Sequence, residues 1–262
     1  MTETTSILHL IANIPLTSAR TAAAFTILPF MNRQILSGFT KNSIVIALIL
    51  PLVALFPLKI QLNQPMAFLI FIGIMIKEAF IGFMIGMLVG IVFWAAQNAG
   101  DFIDMQRGAF YALFYDPFVT TQATPFGSLF FHILVTLFFI NGGFSDLIKT
   151  IYDSYSIWPI NDFFPVWNIN LAAILASTII RLMRLILAVT APLILACFSV
   201  DLCMGLINRF SPNLNVFILS LPIKSALAVF MVAVYSYFFI PFLNGKFLTS
   251  EQIIKILRTI FQ

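Results

Sequence analysis

Long apolar runs, interrupted by single prolines and isolated charges, dominate this sequence. Six of them cover residues 7–31, 43–57, 67–98, 125–140 with a continuation to 151, 171–206 and 215–243. A helix of about 20 apolar residues crosses the hydrocarbon core of a bilayer. The pattern therefore predicts an all-α, polytopic membrane protein with about six long, partly proline-broken helices. Six such helices and short loops use all 262 residues, so we expect a single membrane domain over 1–262.

A different pattern occupies residues 249–261. Apolar side chains recur there at helical spacing, while Lys255 and Arg258 fall on another face of the helix. Thr249 and Gln252 fit the capping box that begins many helices. The segment is predicted to be a short amphipathic helix that lies on a membrane or on a partner protein.

Composition narrows the class of protein. Hydrophobic residues make up 61% of the chain and charged residues 9%, and the mean hydropathy is +1.02. A soluble domain carries roughly 25% charged residues, so this chain cannot cover a water-facing surface. The formal net charge of +4 comes from basic residues scattered singly, which argues against nucleic acid as a partner. The N-terminus lacks the basic region and cleavage site of a signal peptide, so the first apolar segment is expected to remain as a span.

Motifs for catalysis or cofactor binding do not occur in the sequence. It contains no HExxH, no GxSxG, no Walker A loop and no GxGxxG, and its histidines are His9 and His132. Ser128 and His132 lie four residues apart on one predicted helix, where a capped helix start explains them better than a hydrolase site. We therefore expect no enzyme activity, no cofactor and no metal site.

The third apolar segment combines two adjacent charges with regularly spaced glycines. Gly82, Gly86 and Gly90 follow Glu78 at intervals of four residues, a spacing that lets helices in membranes approach closely. These glycines can serve packing within this chain or against another subunit. Lys77 and Glu78 point about 100° apart on a helix, so their side chains are not expected to pair with each other.

Beyond Phe93 the same predicted helix acquires a polar stripe. Gln97, Asp101 and Asp104 are spaced by four and three residues, which places them on one face. Two interpretations remain open: the helix leaves the membrane into water, or its end borders an aqueous lumen. Asp104 and Arg107 have the i and i+3 spacing of an ion pair.

A short loop rich in aromatic residues follows this helix. Residues 108–117 (GAFYALFYDP) place four aromatic side chains between a glycine and an Asp-Pro turn. They are Phe110, Tyr111, Phe114 and Tyr115. Because a loop this apolar must be buried or must occlude something, it is predicted either to plug a pore or to be an ordinary packed loop. As a plug, the loop would have Gly108 and Pro117 as its hinges.

The fifth apolar segment carries two arginines on one helical face, together with Ser177 and Ala188. A charge at the bilayer centre costs about 2.5–3.5 kcal/mol on insertion scales, so Arg181 and Arg184 need water or a partner. Candidate partners in this chain are Glu78, Asp116 and Asp201. A small-molecule transporter is one function that fits, because transporter sites combine polar mid-helix residues with broken helices, as Arg181, Arg184 and Pro192 would.

A polar turn separates the fifth and sixth segments. It runs from Asn208 to Asn215 and contains Arg209 and the helix breaker Pro212. Because apolar helices are predicted on both sides, the turn predicts a tight helix–turn–helix hairpin.

Two long motifs carry a resemblance to a known family. The first is residues 205–217 (GLINRFSPNLNVF), followed by LPIK at 221–224, which contains Pro222 and Lys224. The second is residues 100–109 (GDFIDMQRGA), followed by Asp-Pro at 116–117. Both resemble the FliR/SctT family, the export-gate subunits of the bacterial flagellum and of the virulence injectisome. Length and number of spans agree, so the resemblance covers essentially the whole chain.

The resemblance implies a structural part of a type III secretion export gate, present as a multi-pass protein of the bacterial cell inner membrane. The helices would form hairpins in a helical assembly whose channel passes unfolded substrate proteins. Implied partners are R-type (FliP-like) and S-type (FliQ-like) subunits, an FlhB/SctU-type switch protein, secreted proteins in transit and membrane lipid. The sequence Gln106-Arg107-Gly108-Ala109 favours the injectisome branch over the flagellar branch. The small-molecule transporter is the alternative.

The resemblance also assigns roles to individual residues. The loop that corresponds to the channel plug contains Gln106, Arg107, Gly108, Phe110, Tyr111, Phe114, Tyr115, Asp116 and Pro117. The polar stripe of Gln97, Asp101 and Asp104 would then face the lumen. Subunit or intrachain packing is expected at Glu78, Gly82, Gly86, Gly90, Arg181, Arg184, Asn208, Arg209, Pro212, Asn215, Pro222 and Lys224.

Overall fold

The computed structural model describes residues 2–31, 37–55, 67–108, 124–160, 171–211, 213 and 215–261. Within these ranges the regular structure is helical, and no strand occurs in them. The α-helices are α1 (Thr2–Ile27), α2 (Gly38–Leu55), α3 (Ala67–Gln106), α4 (Pro125–Ile140), α5 (Gly143–Ile157), α6 (Leu171–Phe210), α7 (Val216–Asn244) and α8 (Ser250–Phe261). A short 3-10 helix, Pro29–Met31, follows α1. This architecture confirms the predicted all-α class.

Among the described residues, three helices are long and apolar enough to cross a membrane. They are α3, α6 and α7, over Phe68–Gln106, Ala173–Phe210 and Val216–Asn244. Helices α4 and α5 pass the same test only as a pair joined at a break, and α2 is apolar but shorter. Helices α3 and α6 have 40 residues each, which corresponds to about 60 Å and exceeds the hydrocarbon core of a bilayer, about 30 Å.

Several prolines of the apolar segments do not break the helices as the sequence predicted, whereas a glycine interrupts one of them. Pro15, Pro51 and Pro192 lie inside α1, α2 and α6 rather than at their ends. Between α4 and α5 the helix is interrupted at Gly142, whose φ of 74° lies in the left-handed region that favours glycine. The predicted continuation of the fourth segment to residue 151 is therefore a second helix.

The chain divides into two compact units. The first unit comprises Met1–Ile91, Gly142–Thr178 and Leu248–Gln262. In it, a side chain at Gly82 would collide with the carbonyl oxygen of Arg20, and one at Gly86 would lie 2.7 Å from the carbonyl oxygen of Ala24. Both glycines therefore allow α3 to approach α1 closely, which assigns their packing to this chain.

Helix α8 packs on α5 within the first unit. Ile253 and Leu257, on its apolar face, are each 1% exposed. The predicted amphipathic helix and its cap are confirmed, since the side chain of Gln252 accepts a hydrogen bond from the Thr249 N–H at 3.3 Å. The prediction that this apolar face lies on a membrane or a partner is wrong, because α5 of the same chain covers it.

The second unit comprises Val92–Asn141 and Ile179–Phe247. Phe93 is fully buried in this unit, and its ring centroid lies 5.3 Å from that of Phe138 and 5.4 Å from that of Phe247. At Gly100 a side chain would collide with the backbone of Phe126 and Gly127, so the end of α3 and the start of α4 are in direct contact. This contact positions the polar groups described next.

Candidate functional site at the end of helix α3

The predicted plug residues fall into two groups. Gln106, Arg107 and Gly108 lie in the described part of the chain, at the end of α3. The other predicted plug residues, Phe110, Tyr111, Phe114, Tyr115, Asp116 and Pro117, lie outside the described residues. The structure therefore describes the residues that flank segment 109–123 on both sides. We call the cluster that these flanking residues form the loop stem, which consists of Asp101, Asp104, Arg107, Gly108, Thr124 and Phe126.

Thr124 begins the return from the segment into α4. It is the N-cap of α4, with the extended φ and ψ of −77° and 150°, and Pro125 occupies the first helical position. Its hydroxyl accepts a hydrogen bond from the Gly127 N–H at 3.2 Å and donates one to Oδ1 of Asp101 at 2.5 Å. One hydroxyl thus caps α4 and joins it to α3.

Asp104 is the centre of the loop stem and is 0% exposed. Its Oδ2 accepts a hydrogen bond from the Phe126 N–H at 2.7 Å, and its Oδ1 pairs with Nε of Arg107 at 2.6 Å. The predicted Asp104–Arg107 ion pair is confirmed. The carboxylate also lies at the N-terminus of α4, where the helix dipole stabilises negative charge.

The burial of Asp104 corrects the prediction of a lumen-facing stripe. A fully buried carboxylate that is bonded within its own chain does not border an aqueous space. Gln97 and Asp101 are only half-buried, so they remain candidates for that face. The physical reason is local: the first amides of α4 need acceptors, and the acids on α3 supply them.

Arg107 and Gly108 form the exit from α3. The Nη1 of Arg107 donates to the hydroxyl of Ser225 on α7 at 3.3 Å, and its guanidinium lies 4.6 Å from the centre of the Phe126 ring. Gly108 has a φ of 81°, a left-handed conformation that lets the chain leave the helix axis without a steric penalty. Arg107 therefore contacts α4 and α7 as well as its own helix.

The predicted hairpin is also present. Helix α6 ends at Phe210 and α7 begins at Val216, with Asn215 as an N-cap that accepts from the Ile218 N–H at 3.4 Å. Asn208 and Arg209 are exposed, and Pro212 lies outside the described residues. Lys224 pairs with Asp201 at 2.6 Å and so joins the two helices, while Pro222 lies inside α7.

Arg181 binds a backbone carbonyl rather than one of the proposed acids that the structure describes. Nη2 of Arg181 donates to the carbonyl oxygen of Lys246 at 2.7 Å, which satisfies a carbonyl just beyond the end of α7. Asp201 pairs with Lys224 instead, and Asp116 lies outside the described residues. Arg184 is exposed.

Glu78 belongs to a buried ion cluster in the first unit, which we define as Arg20, Lys77 and Glu78. Nε of Arg20 lies 2.8 Å from Oε2 of Glu78, and both side chains are 0% exposed. Nζ of Lys77 lies 2.9 Å from Oε1 of the same carboxylate. The prediction that Lys77 and Glu78 do not pair is wrong, because the flexible lysine side chain reaches around the helix to its neighbour.

Further contacts surround this cluster. Nη1 of Arg20 donates to the Ser154 hydroxyl at 2.8 Å, Nη2 donates to the Trp158 carbonyl at 2.9 Å, and the guanidinium lies 3.8 Å from the centre of the Tyr155 ring. Lys77 donates to two backbone carbonyls, at Pro159 and Ile160. The cluster therefore joins α1, α3 and α5.

Among the described residues, no group of three or more His, Cys, Asp or Glu side chains is placed to hold a metal ion. Thr124 and Phe126 are the residues of the loop stem that our sequence reasoning missed. The Thr124-Pro125 pair is a recognisable helix start, but its contact with Asp101 joins residues 23 positions apart and depends on the tertiary fold.

A comparison with known protein families identifies the family to which this fold and the two sequence motifs belong. Residues 11–250, which include both the loop stem and the hairpin, match the family described as bacterial export proteins, family 1. The chain belongs to this family. Membership confirms the resemblance that the two sequence motifs predicted, and it identifies the protein as a bacterial export component.

Members of bacterial export proteins, family 1 from several bacteria are similar to this chain. The Yop proteins translocation protein T of Yersinia pestis is 35% identical over 82% of this chain and 82% of its own length. The surface presentation of antigens protein SpaR of Salmonella typhimurium is 30% identical, over 87% and 84%. The flagellar biosynthetic protein FliR of Bacillus subtilis is 31% identical, over 67% and 68%. With its apolar helices, this family member is a multi-pass protein of the bacterial inner membrane.

Proposed function

We propose that this chain supplies part of the wall and the plug of the channel through which a type III secretion export gate passes unfolded proteins across the inner membrane. The observation that carries the proposal is the loop stem. Asp101 and Asp104 on α3 bind Thr124 and Phe126 at the start of α4, so the residues that flank segment 109–123 are anchored to one another. A plug needs such fixed ends, since a loop that is free at either end would not return to one position.

The residues between these anchors support the same function. Four aromatic side chains stand between Gly108 and Pro117, and their bulk suits them to fill a narrow pore. Gly108 would serve as one hinge, since its positive φ already turns the chain away from α3. The half-buried Gln97 and Asp101 would face the lumen beside the plug.

The partners we propose are the other subunits of the export gate, namely R-type (FliP-like) and S-type (FliQ-like) proteins and an FlhB/SctU-type switch protein. The names of the relatives, a Yop translocation protein, a secretion system apparatus protein and flagellar biosynthetic proteins, support an export assembly of this kind. The 35% identity to the Yop translocation protein supports the injectisome branch. Within such an assembly the whole chain would act as one membrane domain, and Arg184, Asn208 and Arg209 would contact other subunits.

Deleting residues 111–115 tests the plug. With the export gate assembled, we expect the deletion to make the inner membrane leak small ions and metabolites, because four of the plug's bulky groups lie in or beside the deleted stretch. Uptake of a small fluorescent dye or loss of potassium from cells measures the leak. Co-purification of the other subunits with the tagged chain verifies assembly in the same cells.

The control removes five residues from another aromatic stretch of the chain, residues 162–166 (DFFPV). It should leave membrane permeability unchanged, because those residues are not part of the proposed plug. Unchanged permeability in the 111–115 deletion, with normal recovery of the other subunits, would refute the plug. A chain that purifies alone or only with copies of itself would refute the export gate.

A further inference from the structure

A cavity lies between the first turns of α7 and the exit of α3. Its volume of about 400 Å³ is large enough for several water molecules. The residues that line it are Arg107 and Gly108 at the exit of α3, and Ile218, Leu221, Pro222 and Ser225 on α7. Because of this cavity, the first turns of α7 are not packed tightly against the loop stem, and a polar contact becomes important for connecting the two.

That contact is the hydrogen bond between Arg107 and Ser225. Nη1 of Arg107 donates to the Ser225 hydroxyl at 3.3 Å, and both residues line the cavity. The bond is shielded in part from solvent, since Ser225 is half-buried and the Arg107 side chain is 14% exposed. A hydrogen bond from a charged donor is stronger than one between neutral groups. In the part of the chain that the structure describes, this bond therefore connects α7 to the loop stem.

The Ser225 hydroxyl fixes the orientation of the Arg107 guanidinium. Nε of Arg107 bonds Oδ1 of Asp104 at 2.6 Å, and the guanidinium lies 4.6 Å from the centre of the Phe126 ring. A guanidinium is planar and its donors have fixed directions, so bonds at Nε and Nη1 together define its plane. With the Nε bond alone, the group could turn about that bond and leave the ring. Ser225 thus holds Arg107 in the orientation that contacts both α3 and α4.

The preceding residue of α7 bonds in a different direction. Lys224 pairs with Oδ1 of Asp201 on α6 at 2.6 Å. Consecutive residues point about 100° apart on a helix, so α7 is joined to α6 through Lys224 and to the loop stem through Ser225. Because both residues belong to the same turn of one helix, a movement of the α6–α7 hairpin relative to α3 acts directly on the bond to Arg107.

Resting on the proposed function, we infer that Ser225 is a positioning residue for the plug, whose hydroxyl couples the position of the α6–α7 hairpin to the loop stem. With the hydrogen bond made, Arg107 is held against Asp104 and Phe126, and the residues that flank segment 109–123 stay together. A shift of α7 away from α3 breaks the bond, releases Arg107 and loosens the stem. The hairpin thereby regulates how firmly the plug is held.

Ser225→Ala tests this coupling in the assembled gate. We expect dye leakage per assembled gate to rise about tenfold, which corresponds to the loss of one hydrogen bond to a charged group. The matched control is Ser236→Ala, the same change at an exposed position of α7 whose hydroxyl donates to the Ala233 carbonyl of its own helix at 2.8 Å. Leakage should stay unchanged in the control. Equal leakage in the two variants, with normal recovery of the other subunits, would overturn the inference.

A double variant tests whether Ser225 acts through Arg107. In Arg107→Met the hydroxyl has no guanidinium to hold, so adding Ser225→Ala should leave leakage at the level of Arg107→Met alone. A further tenfold rise would mean that Ser225 acts by another route, and the inference would be wrong. If Arg107→Met does not assemble, Ser225→Thr replaces it. Threonine keeps the hydroxyl and should keep leakage low, whereas leakage as high as in Ser225→Ala would contradict the coupling.

The deletion of residues 111–115 separates this inference from the proposed function and also sets the leakage of a gate without its plug. If the deletion leaks and Ser225→Ala does not, the coupling is wrong and the plug stands. If neither variant leaks although the other subunits co-purify, the plug is wrong, and the inference that rests on it is overturned with it.

Discussion

The buried ion cluster and the loop stem are both polar, but they handle charge differently. In the ion cluster, one carboxylate faces two cations, and each of the three side chains is at most 7% exposed. In the loop stem, two carboxylates meet one cation, and a threonine hydroxyl and a backbone amide provide the remaining donors. The first resembles a closed network, whereas the second is a set of helix caps that spans the two ends of a loop.

This difference separates a structural role from a positioning role. An ionisable residue inside a membrane protein is a functional-site candidate by default. Arg20, Lys77 and Glu78 do not need that explanation, because they satisfy one another and nearby backbone groups within one unit. The loop stem holds the ends of a chain segment instead, so its disruption should move that segment with less effect on folding.

Replacing Glu78 should have the largest effect. Glu78→Leu leaves the buried cations Arg20 and Lys77 without their carboxylate. Breaking a buried pair by removing one partner typically costs about 3–5 kcal/mol. We expect a loss of that size in the free energy of unfolding, measured by denaturant titration of the purified protein in detergent, and a lower amount of chain in the membrane.

The double variant Arg20→Met with Glu78→Leu is the control for this effect. It removes the opposing charges together, and Lys77 keeps the carbonyl oxygens of Pro159 and Ile160 as acceptors. We expect it to recover more than half of the lost stability. If the double variant were less stable than Glu78→Leu, mutual charge compensation would not explain the cluster. Membrane permeability per assembled gate should stay unchanged in both variants.

A substitution in the loop stem should have a smaller effect on stability and a distinct effect on permeability. Asp104→Leu leaves the Phe126 N–H without its acceptor and Arg107 without its carboxylate. Loss of these charge-assisted hydrogen bonds should cost about 3 kcal/mol. Because the ends of the segment are then free to separate, the leak of a small dye per assembled gate should also rise.

Asp104→Asn is the matched variant, since an amide oxygen can still accept the Phe126 N–H. Asp104→Asn should lose about half as much stability as Asp104→Leu, and its assembled gate should leak less dye. An Asp104→Leu gate with unchanged permeability would argue that the stem is structural, like the ion cluster. The loop stem and the ion cluster would then both have a structural role, with no difference in function between them.

The features of this structure that depend on neighbouring residues could be predicted from the sequence. Hydrophobic runs predicted the positions of the long helices, and the i, i+3 spacing predicted the Asp104–Arg107 pair, because both depend on periodicity along one helix. Partners across the fold were not predictable in this way. The Arg20–Glu78 pair joins residues 58 positions apart, and the contact of Asp104 with the Phe126 amide joins residues 22 positions apart.

The angular positions of residues on a helix predicted their ion-pair partners less well than the length of their side chains does. Adjacent positions on α3 predicted separate partners for Lys77 and Glu78, yet one carboxylate binds both Lys77 and Arg20. The amphipathic pattern of α8 predicted an apolar face but not that α5 would cover it. The spacing of apolar residues along a helix determines which face is apolar, whereas the tertiary fold determines what contacts that face.

The smallest predicted effect is at Thr124. Thr124→Ala removes the hydroxyl that caps α4 and binds Asp101, and loss of an N-cap costs about 1 kcal/mol. Thr124→Ser keeps the hydroxyl and should match the unsubstituted protein in stability and permeability. If Thr124→Ala lowers the unfolding free energy but leaves dye leakage unchanged, Asp104 alone holds the segment. If leakage rises although the cost is small, both caps are needed to position it.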